Sequence, residues 1–140
     1  MIGRSTPSIS TGLARGVRRR CARCGERGIF DGWFHLKQRC PRCGYRFARE
    51  EGSFTGVYLV NFGVTEAFMF VVLMGYVMWR GVIGSHAPIW PFFIGCTAFA
   101  LLAPIVFYPV AASTWAAIDL LMRPLDPDEE LEAEQHACND

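Results

Sequence analysis

Four of the six cysteines carry the strongest chemical signal in these 140 residues: CARC at 21–24 and CPRC at 40–43, each followed at once by a glycine, Gly25 and Gly44. With 15 residues between the pairs, the pattern C-x2-C-x15-C-x2-C is a zinc-site spacing. Zn²⁺ prefers four tetrahedral ligands, and thiolates at about 2.3 Å suit its charge and softness. Two residues between cysteines let one tight turn present both sulfurs. A glycine after each pair tolerates positive φ, so backbone amides can turn towards the sulfurs. Cys21, Cys24, Cys40 and Cys43 are therefore the expected ligands of a structural Zn²⁺, because four thiolates leave no open position for a reacting water. Three other chemistries weigh less. Two disulfides need an oxidising compartment, a thioredoxin-like pair needs a βαβ setting, and iron–sulfur runs are usually spaced differently.

The segment that must hold this site, residues 17–52, has 36 residues, below the roughly 40 at which a core alone usually supports a fold. Metal binding is expected to supply most of its folding energy. The reading is a small zinc-ribbon-like module with short β hairpins, in which Ile29, Phe30, Trp33, Phe34, Tyr45 and Phe47 cluster against the knuckles. Nine arginines lie between positions 18 and 49. Such a face suits anionic lipid, at about 1 kcal/mol per residue near a bilayer surface, better than nucleic acid.

The remaining elements point to a membrane. Hydrophobic residues make up 51% of the chain, charged residues 19%, and the mean hydropathy is +0.21, which is not a usual soluble composition. Charge is segregated too: residues 1–56 hold 12 Lys/Arg against four acids, while 124–140 hold seven acids and no Lys or Arg. Residues 1–16 read as a disordered basic leader without the apolar core of a signal peptide. Val57–Trp79 is a 23-residue stretch whose only charge is Glu66, and as a helix it reaches about 34 Å, enough for a hydrocarbon core of roughly 30 Å. A second stretch runs from Ile89 to Met122 with Asp119 as its sole charge. Pro104 and Pro109 predict a break in it, giving a span over about 89–108 and an interfacial helix over about 113–123, capped by Ser113 and carrying Trp115 at headgroup level. The whole transmembrane unit covers 53–123, and the acidic tail 124–140 reads as mobile. The fold class is thus a mainly α membrane protein, a two-helix hairpin preceded by the zinc module. The basic flanks predict both termini on the cytoplasmic side of a cytoplasmic membrane.

Inside the first span, Glu66 falls near the bilayer middle, where an ionisable group is a functional candidate by default. Asn61 and Thr65 are four apart and share a face bordered by Glu66. Neither span offers Glu66 a cation, so the expectation is a neutral acid in a helix interface or a contact with another subunit. Gly63 and Ala67 would permit close helix approach. His86 is expected in the outer loop, and Cys96 and Cys138 as unpaired thiols. There is no catalytic triad, phosphate loop or second ligand set, so no enzyme is expected and no catalytic residue is assigned.

The blocks CARCGERGIFDGWFHLKQRCPRCGYRFAREEG at 21–52, Gly56 with Asn61, and FYPVAASTWAAIDLLMRPLDPDE at 107–129 resemble the small bacterial membrane proteins catalogued as domain of unknown function nine-eight-three, in their actinobacterial form. The resemblance covers most of Arg18 to Glu129. It implies a cytoplasmic double-knuckle zinc module fused to a two-helix hairpin, with Cys21, Cys24, Cys40 and Cys43 as the metal ligands, and it brings no activity. One departure is the first knuckle, CARC, where the family more often has CPxC. The functional expectation is a membrane-anchored adaptor or assembly factor that binds a protein partner or a second copy. A proton-conducting oligomer using Glu66 and a thiol-based redox sensor are the alternatives.

Overall fold

The computed structural model describes residues 7–49, 53–83 and 88–139. Glu50–Gly52 of the motif, the loop with His86, and the side chain of Cys138 lie outside the described residues. Four helices follow in chain order: α1 (Ile9–Val17), α2 (Ser53–Ile83), α3 (Trp90–Met122) and α4 (Pro127–Asn139). The cysteine module occupies the stretch between α1 and α2.

Helices α2 and α3 pair antiparallel. Asn61 meets Pro104, Phe68 meets Phe99 with ring centroids 4.8 Å apart, and Tyr76 stacks on Phe92 at 3.8 Å. Both helices are long and apolar enough to cross a membrane, with mean hydropathy of 1.8 and 2.0 over their most apolar stretches. Their 31 and 33 residues reach about 46 and 50 Å, more than a hydrocarbon core of roughly 30 Å needs.

The surplus of α3 extends into a head. Here the structure corrects the expected break: α3 runs unbroken through Pro104 and Pro109, and residues 113–122 belong to it and not to a separate interfacial helix. A proline at 109 cannot donate to the carbonyl of residue 105. That orphaned Ile105 carbonyl accepts a hydrogen bond from Trp33 Nε1 at 3.0 Å, so a residue of the cysteine module repairs the helix. Ser113 is likewise not an N-cap. It is buried mid-helix, with its hydroxyl 2.8 Å from the Pro109 carbonyl and 2.7 Å from the Gly16 carbonyl at the end of α1.

The leader is corrected over residues 9–17, which form α1. Its two glycines explain why: both are buried, and a Cβ at Gly16 would stand 3.0 Å from Ala117 Cβ and from the Ser113 carbonyl. Small residues on both helices let the backbones touch. Arg18–Arg20 then close α1 in a Schellman turn, with Arg20 N–H bonded to the Arg15 carbonyl and Arg19 N–H to the Gly16 carbonyl, each at 2.9 Å. Arg19 holds the left-handed position at φ 56°.

The tail, expected to be mobile, forms α4. Pro127 stands first in the helix, Asp128 and Glu129 occupy its first turn, and Glu129 reaches back to the Asp126 amide at 3.1 Å, half of a capping box. The expected β hairpins are also corrected. Among the described residues there is no strand, and two isolated antiparallel bridges, Phe30 to Leu36 and Arg39 to Arg46, are all the pairing the short knuckle arms achieve. The head core joins Cys21, Ile29, Cys40, Cys43, Tyr45 and Phe47 to Ala116, Ala117 and Leu120 of α3. Phe30 packs at its edge. Trp33 and Phe34 are 46% and 56% exposed and lean on α3 instead, Phe34 lying 5.5 Å from the Tyr108 ring.

Candidate metal centre

The two knuckles repeat one pattern. Cys21 N–H donates to the Glu26 carbonyl and Gly25 N–H to the Cys21 carbonyl, at 2.9 and 2.8 Å; Cys40 N–H donates to the Tyr45 carbonyl and Gly44 N–H to the Cys40 carbonyl, at 2.9 and 3.0 Å. Gly25 at φ 80° and Gly44 at φ 65° supply the left-handed step that closes each turn. The turns bring all four sulfurs within 4.8 Å of one another, with Cys21 to Cys43 at 3.7 Å and Cys24 to Cys40 at 3.6 Å. Thiolates at 2.3 Å from a tetrahedral ion would be about 3.8 Å apart, whereas a disulfide needs about 2.05 Å. The four cysteines are therefore a cluster able to hold a metal ion. Cys21, Cys40 and Cys43 are at most 3% exposed.

Packed this closely, the thiols share protons unevenly. The hydrogen bond with Cys21 pulls both Cys24 and Cys40 down from the usual thiol range, Cys40 to about 7. The bonds with Cys24 and Cys40 push Cys21 up. Two of the four thiols are thereby held nearer the thiolate form that binds a cation, while Cys21 and Cys43 are pushed up.

Each knuckle is buttressed by one terminal helix. On the first, Arg15 of α1 donates to the Ala22 and Arg23 carbonyls at 3.2 and 2.9 Å. On the second, Gly44 lies so close to Ala133 of α4 that any side chain at 44 would run into the helix backbone. The acidic tail is held electrostatically. Arg39 pairs with Glu132 at 2.9 Å, Arg23 with Glu130 at 3.8 Å, and Arg49 forms a fork to Glu129 and sits 3.8 Å from Asp119. Arg49 also donates to the Arg123 carbonyl at 2.6 Å. Its hydrogen bond to Glu129 holds that carboxyl below the ordinary range. Tyr45, fully buried behind the cluster, donates to the Ala116 carbonyl at 3.4 Å, and desolvation pushes its phenol up.

These contacts with α1, α3 and α4 are absent from the reading of the sequence. The opposed charge of head and tail was their only visible trace. The intramembrane candidates separate. Asn61 is buried and donates from Nδ2 to the Pro104 carbonyl at 2.9 Å, and Thr65 Oγ1 donates to the Asn61 carbonyl at 2.9 Å. Glu66 is not drawn into this pair; its side chain is exposed on α2. Cys96 is half-buried in α3.

No curated protein and no solved structure matches the chain. The family described as "Protein of unknown function (DUF983)" matches residues 30–115, a range that takes in the second knuckle, all of α2 and α3 as far as Trp115. Since that match spans more than half of the sequence, and the four-cysteine cluster stands at its N-terminal edge, the chain belongs to the DUF983 family.

Proposed function

We propose that the chain is a non-enzymatic, membrane-anchored adaptor or assembly factor: α2 and α3 hold it in the cytoplasmic membrane, and the head, stabilised by a structural Zn²⁺, is presented to a protein partner on the cytoplasmic side with both termini. One observation carries this reading. The cysteine cluster is largely buried, brings four sulfurs within reach of one ion, and is built directly onto the end of a helix long enough to cross a bilayer. Four thiolates close the coordination of Zn²⁺, so the metal would serve shape and not chemistry. The clustered arginines beside it favour the side of the membrane that retains positive charge. Crosslinking in native membranes, followed by affinity purification and mass spectrometry, tests the reading. A partner captured by wild type and lost in Cys40→Ser supports it. Capture of nothing beyond the chain itself, with Cys40→Ser still functional in cells, overturns it.

The exposure of Glu66 on an apolar helix favours a second reading, an oligomer in which this acid meets another copy and conducts protons. Flux in liposomes that Glu66→Gln abolishes would support it, and no flux from wild type would exclude it.

A further inference from the structure

Eight arginines of the head fall into two sets. Arg23, Arg39, Arg42 and Arg49 are paired with carboxylates. Arg18, Arg19, Arg20 and Arg27 have no acidic partner among the described residues, and these four line one open cavity of about 470 Å³, together with the loop Gly28–Phe30 and Gly32. The two acids nearest in sequence are engaged elsewhere, Glu26 with Arg42 at 3.4 Å and Asp31 with Lys37 at 3.4 Å, so the four guanidinium groups give the cavity a positive character that suits an anion from outside.

Its position says which anion. The Arg19 guanidinium lies 5.1 Å from the Phe30 ring centre and 5.2 Å from that of Trp33, and Trp33 bonds to Ile105 of α3. Counted from Trp90, Ile105 lies about 23 Å along the helix and Tyr108 about 27 Å, close to one hydrocarbon thickness. Ile105 and Val106 are still 50% and 61% exposed, whereas Pro109 is buried in the head. Trp33 and Phe34 thus sit where an aromatic belt would, and the cavity opens beside them at headgroup depth. Arg19 adds a further sign. It occupies the left-handed C′ position of α1, where glycine is usual and a side chain is strained. Strain held in this way marks functional positions.

We propose that this cavity binds the phosphate of an anionic phospholipid headgroup, gripped by the guanidinium groups of Arg18, Arg19, Arg20 and Arg27 beside Phe30, with Trp33 backing Arg19. Guanidinium forks match phosphate oxygens in a way single ammonium charges do not. The site depends on α2 and α3 crossing a bilayer and is independent of any protein partner of the head.

Native mass spectrometry of the full chain in non-ionic detergent, offered phosphatidylglycerol and phosphatidylcholine with identical acyl chains, reads the selectivity directly. Wild type should retain phosphatidylglycerol roughly tenfold better. Arg19→Gly with Arg27→Gln should erase that preference without lowering the thermal midpoint, since glycine relieves the backbone at 19. Arg42→Ala with Arg46→Ala, the same loss of charge outside the cavity, should keep it. Equal retention of the two lipids overturns the proposal. So does an equal loss from the Arg42/Arg46 variant, which would mean diffuse attraction, and so does full displacement by excess inorganic phosphate, which would mean a site for the free anion. A missing protein partner would leave all of these readings unchanged.

Discussion

Along its first half α3 carries Phe93, Ile94, Leu101, Leu102, Ile105 and Val106, each between 50 and 67% exposed. Along its second half it carries Pro109, Ala111, Ala112, Ser113, Ala116, Ala117 and Leu120, every one buried. Both halves are apolar, yet the large side chains of the first stand exposed and the buried positions of the second are mostly small. Large branched and aromatic groups stand on the face of the first half that α2 leaves uncovered. Small ones line the part that must admit another backbone, as at Gly16, where α1 comes within van der Waals contact. A continuous apolar run therefore records two surroundings, an uncovered apolar face and a packed protein one, and volume is the variable that tells them apart.

The largest expected effect separates the halves outright. Cys40→Ser should abolish stoichiometric metal binding and unfold the head, because structural Zn²⁺ in small modules supplies on the order of 10 kcal/mol of folding energy. Limited proteolysis in detergent should then cut freely between residues 7 and 49 while α2 and α3 up to about Tyr108 stay protected. Protection of the head in that variant would break the division.

The same substitution on either half sharpens the comparison. Ala117→Leu forces a side chain into the contact with Gly16 and should cost about 1–3 kcal/mol or more, whereas Ala98→Leu, on an exposed face, should change the thermal midpoint little. Equal effects would show that the halves are not in different surroundings.

Trp33→Phe tests the join between them. It keeps an aromatic ring but removes the donor to the Ile105 carbonyl, and should cost about 1 kcal/mol, read from the thermal midpoint of the purified protein.

The smallest effect is electrostatic. The hydrogen bond from Arg49 lowers the pKa of Glu129 in the folded state, so this contact stabilises α4 fully above the unfolded value near 4.3 and is lost as pH falls through the folded one. Because Glu129 is about a third exposed, solvent and salt screen much of it. Acid titration of helicity should show α4 releasing below about pH 4, and Glu129→Gln should flatten that limb.

How legible this was in the sequence follows the range of each interaction. The cysteine cluster was fully readable, because each knuckle is a local turn whose glycine and spacing reveal its geometry. So were the two apolar helices and the Asn61–Thr65 face. The α1 helix was not: its Ser, Thr and Gly content suits an unstructured leader, and its reason to fold is an alanine face some 100 residues away. Pro104 and Pro109 read as a break because the donor that repairs α3, Trp33, lies in another segment. The tail is an intermediate case. Asp126, Pro127 and Glu129 are a helix-start signal that can be read locally, but the repulsion of seven acids outweighs it until Arg23, Arg39 and Arg49 are brought alongside.

The head is assembled from sequence on both sides of the hairpin, and this orders events during synthesis. The knuckles leave the ribosome early, yet the wall they fold against, Ala116, Ala117 and Leu120, is made only after all of α2 and most of α3. Tyr45 waits for a carbonyl 71 residues downstream. The completed head thus requires both long helices to be made and paired, and a chain cut short within α3 would leave an open, arginine-rich module without its wall.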